Sequence, residues 1–303
     1  MKKIYFILPI LAGILFGSCG IFVRILTQNG MNITTQLFSR FSISIIIMLI
    51  FILTTDKGLL KINVSELKII IIASINVIAL NLCYNISTNT VPLSLAAVLL
   101  SLAPMFVIIF AYLAFKENIT SKKVISMILI IIGCTLTTGL LEGNILNINW
   151  IGILAGISAA FFWANYNVAS KKIIREGTST HTLLFYAIIL MTIILLPFTN
   201  FNQITTFINM DISTNTLFLI FNALLTFILP YVLLTESLNY IDAGSVAILA
   251  AGTEPLAALL FGIALYNEIP TTLILIGIGL TIIAITILSK EEYGKKNNLK
   301  VKI

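Results

Sequence analysis

YNISTNTVPLSLAAVLLSLAPMFVIIFAYLAFKE, residues 84–117, lies without gaps over TESLNYIDAGSVAILAAGTEPLAALLFGIALYNE, residues 235–268. Ser94, Ala96, Pro104, Phe110 and Glu117 fall on Ser245, Ala247, Pro255, Phe261 and Glu268, at an offset of 151. LAGI also occurs twice, at 11–14 and 154–157, near the start of each half. Two related copies of one design make this a duplicated architecture, so each half is read against the other.

Outward from these blocks the chain is apolar almost throughout. Of its 303 residues, 59% are hydrophobic and 10% charged, with mean hydropathy +1.08. A soluble domain carries about 25% charged residues, so this surface is built for lipid. Apolar runs fall at 4–26, 34–54, 69–87, 93–115, 123–141, 149–170, 182–199, 214–236, 243–265 and 271–289. Each is long enough to cross a hydrocarbon core about 30 Å thick as a helix. The runs lack the period-two alternation of membrane barrel strands, and little chain is left for a soluble domain. The expected fold is therefore an all-α integral membrane protein of ten helices. Its halves are 4–141 and 149–289, followed by a basic tail over 290–303.

Sixteen of the eighteen lysines and arginines flank alternate loops or the ends, from Lys2 and Lys3 to Lys300 and Lys302. That bias predicts a cytoplasmic face carrying both termini in the cytoplasmic membrane. The opposite loops hold no lysine, and their clear charges are Glu142, Asp211 and Glu268. The net charge of +6 thus reports topology and gives no reason to expect nucleic acid as a partner. The segment MKKIYFILPILAGILFG is too long an apolar run, with no soluble domain after it, for a cleaved signal peptide. Cys19, Cys83 and Cys134 lie singly within apolar runs, which points to neither disulfides nor a metal site.

Five crossings per half is an odd number, so the second half starts on the opposite side and the repeats are inverted. Inverted repeats are a route to alternating access around a site at the bilayer midplane. The stretch AAFFWANYNVASKK (159–172), Arg40 in FSRFSISIII, and the paired proline-to-glutamate blocks resemble EamA-type transporters of the drug/metabolite transporter superfamily. The resemblance spans residues 4–289. It implies ten helices in two five-helix EamA repeats, cytoplasmic termini, and export or uptake of a small metabolite such as an amino acid, an amine or a related solute; the expected direction is export or exchange. Lys116 and Asn267 stand where that family often has glycine before the glutamate.

Arg40 and Glu254 are the two clearly intramembrane ionisable residues, and such groups are functional candidates because burying them is costly. Counting 1.5 Å per residue puts Arg40 about 9 Å and Glu254 about 12 Å below the lysine-free boundary. Glu254 is expected to bind a proton or a substrate amine, and Arg40 to support it or attract a carboxylate. The bland alternative is a permanent bridge between them. Glu254 has Ala103 as its counterpart in the first half, whereas Pro104 and Pro255 match. Both prolines are expected to bend or break their helices beside the site. Asn81, Tyr84, Asn85, Trp163, Asn165, Tyr166 and Asn222, with Thr226, complete a polar and aromatic set at membrane depth. Glu236 and Asp242 are expected to be solvated, and the GxxxG spacings at Gly13/Gly17 and Gly152/Gly156 to serve helix packing.

A secondary transporter needs a small-molecule substrate, the lipid bilayer, and a gradient of protons or a counter-solute, but no cofactor. The alternatives are a carrier of nucleotide-sugars, sugars or drug-like solutes, a channel, or an intramembrane enzyme. The sequence has no HExxH, GxSxG or phosphate loop, and its single histidine, His181, sits at a helix end, which speaks against the enzyme.

Overall fold

The computed structural model describes residues 5–91, 93–137, 149–266 and 271–300. Glu142, Glu268 and the last residues of the basic tail lie outside them. Among the described residues the chain is helical without a strand. Nine helical stretches are long and apolar enough to cross a membrane. The helix Ser121–Thr137 fills the fifth position with 17 residues, giving the ten-helix order.

The helix order is α1 Ile7–Gly17 and α2 Cys19–Gln28, then α3 Ile33–Thr55, α4 Val64–Thr90, α5 Leu93–Leu100, α6 Ala103–Phe115 and α7 Ser121–Thr137. The second half holds α8 Trp150–Arg175, α9 Thr180–Leu195, α10 Phe201–Met210, α11 Ile212–Ala223, α12 Leu229–Ser237, α13 Ala243–Tyr266 and α14 Thr272–Lys300. Polar caps set many of the boundaries by satisfying helix-end N–H groups. Asn32 accepts from the Thr35 N–H at 2.9 Å, Asn149 from Ile151 at 2.9 Å and Ser179 from His181 at 3.2 Å. Asp211 caps α11 through the Thr214 N–H, which holds its carboxyl below the usual carboxylate range.

Large apolar side chains face outward, among them Ile46 at 59%, Leu154 at 64% and Leu260 at 66% exposure, as a lipid-facing surface requires. Inside, α4 packs along α8 with α5 and α6 against the same helix, and α1 packs along α13 with α12 beside it. Under the repeat α4 corresponds to α11–α12, α8 to α1–α2 and α5–α6 to α13, so these two three-span groups are pseudosymmetric images. The pairs α3 with α9 and α7 with α14 flank them, each helix meeting its own counterpart.

Glycines make the close approaches inside each group. A Cβ on Gly17 would lie 2.6 Å from the Glu254 carbonyl oxygen and 2.8 Å from the Ala257 Cβ. One on Gly156 would lie 2.6 Å from the Leu99 Cδ1. Both GxxxG spacings therefore serve packing.

The expected proline effects divide. Between α5 and α6 the helix breaks at Ser101 and Leu102, and Pro104 occupies the first turn of α6, where its missing N–H matters least. The ninth span departs from expectation, because α13 runs continuously through Pro255. Gly13 and Gly17 of α1 clamp α13 at Ala250–Thr253 and Glu254–Ala258, on both sides of the proline, and the rest of the ladder keeps it helical. Two interruptions that the sequence reading did not place also occur. The first span breaks at Ser18, whose hydroxyl donates to the Leu15 carbonyl at 2.7 Å. The eighth span loosens into a π turn over Leu224–Ile228, just before Pro230, with the Thr226 hydroxyl donating to the Asn222 carbonyl at 2.6 Å. The short helix α10 is likewise additional and lies against the lysine-free end through Phe207, which packs with Leu26, Met31 and Leu219.

Candidate functional site

The interruptions in the first, fourth and eighth spans lie at mid-membrane depth, and the candidate site lies among them. Glu254 is 11 residues into α13, about 16 Å from its basic end. It is only half-buried, and no ion pair or hydrogen bond engages its carboxylate among the described residues. Its backbone lies against Gly17 of α1, where an added Cβ would be 2.6 Å from the Glu254 carbonyl oxygen, and α13 also packs against α6 and α7.

Arg40, seven residues into α3, is buried at 7% exposure. One of its terminal nitrogens approaches the Cys19 Sγ at 3.5 Å, and its Nε has no hydrogen-bond partner among the described residues. Arg40 and Glu254, both among the described residues, form no ion pair with one another, so the permanent bridge is not formed. Asn222, on the α11 helix that packs against α3, is fully buried and likewise keeps its Nδ2 unpartnered. Two orphaned donors and one orphaned carboxylate therefore stand at membrane depth, where such groups cost free energy unless something polar meets them.

An aromatic wall joins them. Trp163 and Tyr166 stack at 5.5 Å, Trp163 meets Tyr231 edge-on at 5.8 Å, and Phe16 lies edge-on to Trp163 at 5.9 Å and to Tyr231 at 5.3 Å. Phe227 extends the wall from Tyr231 at 4.4 Å toward Phe41 of α3 at 4.8 Å. The Tyr166 hydroxyl is 3.4 Å from the Thr235 hydroxyl, a contact between α8 and α12. Phe16 and Tyr231 were not singled out from sequence, although Tyr231 is the residue nearest the centre of the arrangement.

Other sequence candidates stand apart. The amides of Asn81 and Asn165 donate to carbonyls of their own helices, Val77 at 2.7 Å and Phe161 at 3.1 Å. The Asn85 backbone carbonyl accepts from the Thr88 hydroxyl and the Asn89 amide, and its side-chain Oδ1 accepts from the same Asn89 amide at 3.2 Å. Thus Glu254, Arg40, Tyr84, Trp163, Tyr166 and Asn222 belong to the central region, and the remaining amides are satisfied locally.

At the basic end, Asp242 was expected to be solvated, yet it lies 2.8 Å from the Lys123 Nζ. Glu236 accepts from the Thr180 hydroxyl at 3.0 Å. Glu117 is turned into the bundle by Lys116, whose φ of 57° makes it a left-handed helix terminator. Glycine takes that conformation without strain, whereas a Cβ costs about 1–2 kcal/mol. Lys116→Gly is expected to raise stability by about 1 kcal/mol, read as a higher melting temperature in detergent. A lower one would mean that the Lys116 ammonium over the Tyr112 ring, at 5.5 Å, outweighs the strain.

The sequence model of the EamA-like transporter family matches residues 3–139 and again residues 150–290. An "Uncharacterized transporter YyaM" of Bacillus subtilis (strain 168) is 26% identical over 166 residues. That alignment covers 51% of this chain and 53% of the relative, so the chain spans about half the length of the curated relative it matches. A crystal structure with 14% sequence identity superposes at a TM-score of 0.72 over 95% of this chain and 96% of the other, a likeness of fold.

Proposed function

Because the chain belongs to the EamA-like transporter family, whose model it matches once in each half, we propose that it carries a small zwitterionic or amine-bearing metabolite, an amino acid, an amine or a related solute. The carrying observation is the pair of opposite charges, Arg40 and Glu254, both within membrane-spanning helices and without an ion pair between them. In this reading the unpartnered Arg40 Nε and Asn222 Nδ2 are the donors available to a substrate carboxylate, and Glu254 with the aromatic residues Trp163 and Tyr231 is available to an ammonium. The proposed cycle is alternating access between the two three-span groups, in the direction of export or exchange. A proton on Glu254 or a counter-solute supplies the energy. The basic end faces the cytoplasm and the protein resides in the cytoplasmic membrane, by the distribution of lysine and arginine. The reading is of a carrier without catalysis.

A thermal-shift panel of purified protein tests the substrate class, since a ligand that binds only the folded state stabilises it by about 2.7 kcal/mol at a hundred times its dissociation constant. Amino acids are expected to raise the melting temperature more than their decarboxylated amines or deaminated acids. A shift produced by sugars or nucleosides, with none from amino acids or amines, would overturn this substrate assignment.

A further inference from the structure

The basic end carries a second charged cluster, distinct from the central site. Glu117, at the end of α6, has its Oε1 2.7 Å from the Lys171 Nζ and 3.8 Å from an Arg175 terminal nitrogen. Its Oε2 accepts the backbone N–H of Ala243, the first residue of α13, at 2.9 Å. Lys171 also donates to the Ile241 carbonyl at 2.8 Å. Lys123, at the start of α7, pairs with Asp242 at 2.8 Å and donates to the Asn118 carbonyl at 3.0 Å.

Both lysine side chains are almost fully buried, at 2% and 4% exposure, and Glu117 is at 5%. Lysines at a membrane boundary ordinarily extend their ammonium into water. Burying an ion pair brings little net stability over apolar packing, while removing one partner is strongly destabilising, so such a cluster is suited to switching between two discrete states. Its geometry has that character. The Glu117–Lys171 pair lies within the group of α4, α6 and α8. The bonds to Ala243 and Ile241 cross to the group of α1, α12 and α13, and the Lys123–Asp242 pair ties α7 to the segment that begins α13. Packing agrees, because both parts of the fourth span rest on α8, but its basic half, α6, also rests on α13, whereas α5 rests on α4 and α7.

The repeat carries the Glu117 carboxylate over to Glu268 but reproduces neither its lysine partner nor the Lys123–Asp242 pair at the other end. At the offset of 151, Lys123 corresponds to Ile274 and Asp242 to Val91; at the LAGI offset of 143, Lys171 corresponds to Gln28. We propose that Glu117, Lys171, Lys123 and Asp242 form a one-sided latch that holds the basic end closed, makes the state closed at that end the resting one, and breaks once per cycle. The proposal rests on the alternating-access reading above.

The test is labelling with a membrane-impermeant maleimide from the basic face, which needs neither substrate nor flux. Cys19, Cys83 and Cys134 are replaced by Ser, and Ile108→Cys is introduced in α6. Ile108 is buried there against α13, where a Cβ on Gly244 would lie 2.8 Å from its Cγ1. Glu117→Gln and Asp242→Asn are each expected to speed labelling of this cysteine by at least about tenfold, and Lys123→Arg, which keeps the charge, by less than about twofold. Asp242 is 33% exposed, so Asp242→Asn decides the matter if Glu117→Gln does not fold. Unchanged rates in the folded variants would overturn the latch. So would an equal acceleration at Leu99→Cys in α5, which signals general loosening. Because the labelling needs no substrate, an absent amino-acid thermal shift leaves the labelling result standing, and unchanged labelling rates leave a thermal shift standing, so failure of the central-site reading and failure of the latch are told apart.

Discussion

Glu254→Gln is expected to lower substrate flux in proteoliposomes by at least about a hundredfold while the protein inserts, purifies and melts normally. A charge-assisted hydrogen bond is worth about 1.5–3 kcal/mol, or roughly one to two orders of magnitude in binding. The amide also cannot take up and release a proton, so a coupling role adds to that loss. Stability should change little, because no described residue forms an ion pair or hydrogen bond with the carboxylate. The pH dependence of flux separates the two roles. If Glu254 exchanges protons, residual flux in Glu254→Gln no longer varies with pH; if it only holds an ammonium, the slope persists at lower amplitude. Full flux with an unaltered pH profile would remove Glu254 from the site. Glu254→Asp keeps the charge but withdraws it by one methylene, and should fall between the parent and Glu254→Gln.

The spans were legible because lipid demands about 20 apolar residues for each crossing, a requirement that little else in a sequence imitates. Arg40 and Glu254 stand out as candidates for the complementary reason, since an ionisable residue within such a run is rare. The break before Pro104 followed from the proline itself. That Pro255 lies in an unbroken helix did not, because the clamp on α13 comes from Gly13 and Gly17, more than two hundred residues away. Helix α10 escaped notice since FNQITTFINM is short and rich in Thr and Asn, although Phe201, Ile204, Phe207 and Ile208 do form an apolar stripe.

The aromatic wall shows a different limit. With 19 Phe and 9 Tyr in the chain, composition cannot single out Phe16 or Tyr231; only their packing on Trp163 does so. For amides the difficulty is reversed. Asn81 and Asn165 have the polarity a binding site needs, but a carbonyl four residues back satisfies each of them. Asp242 looked solvated in a short loop because its partner, Lys123, lies 119 residues earlier.

Gly17→Val is expected to remove the folded protein almost entirely, and Gly20→Ala, three residues along, to have no adverse effect. At Gly17 a Cβ would lie 2.6 Å from the Glu254 carbonyl oxygen and 2.8 Å from both the Ala257 Cβ and the Ala258 nitrogen. Two of those atoms are backbone and cannot turn away, so α1 and α13 must separate along the seam that presents Glu254. Overpacking ordinarily costs about 1–3 kcal/mol, and a collision with backbone belongs at or above the top of that range. Against a total stability of about 5–15 kcal/mol that is a large fraction, and it falls on the group of α1, α12 and α13 as a unit. At Gly20 nothing lies within 4 Å of the added methyl, and alanine gains about 0.5–1 kcal/mol in a helix interior. The pair is measured by fluorescence-detected size exclusion and by melting temperature. A Gly17→Val protein as stable as the parent would mean that α1 does not approach α13 this closely, and would loosen the seam between α1 and α13 on which the placement of Glu254 depends.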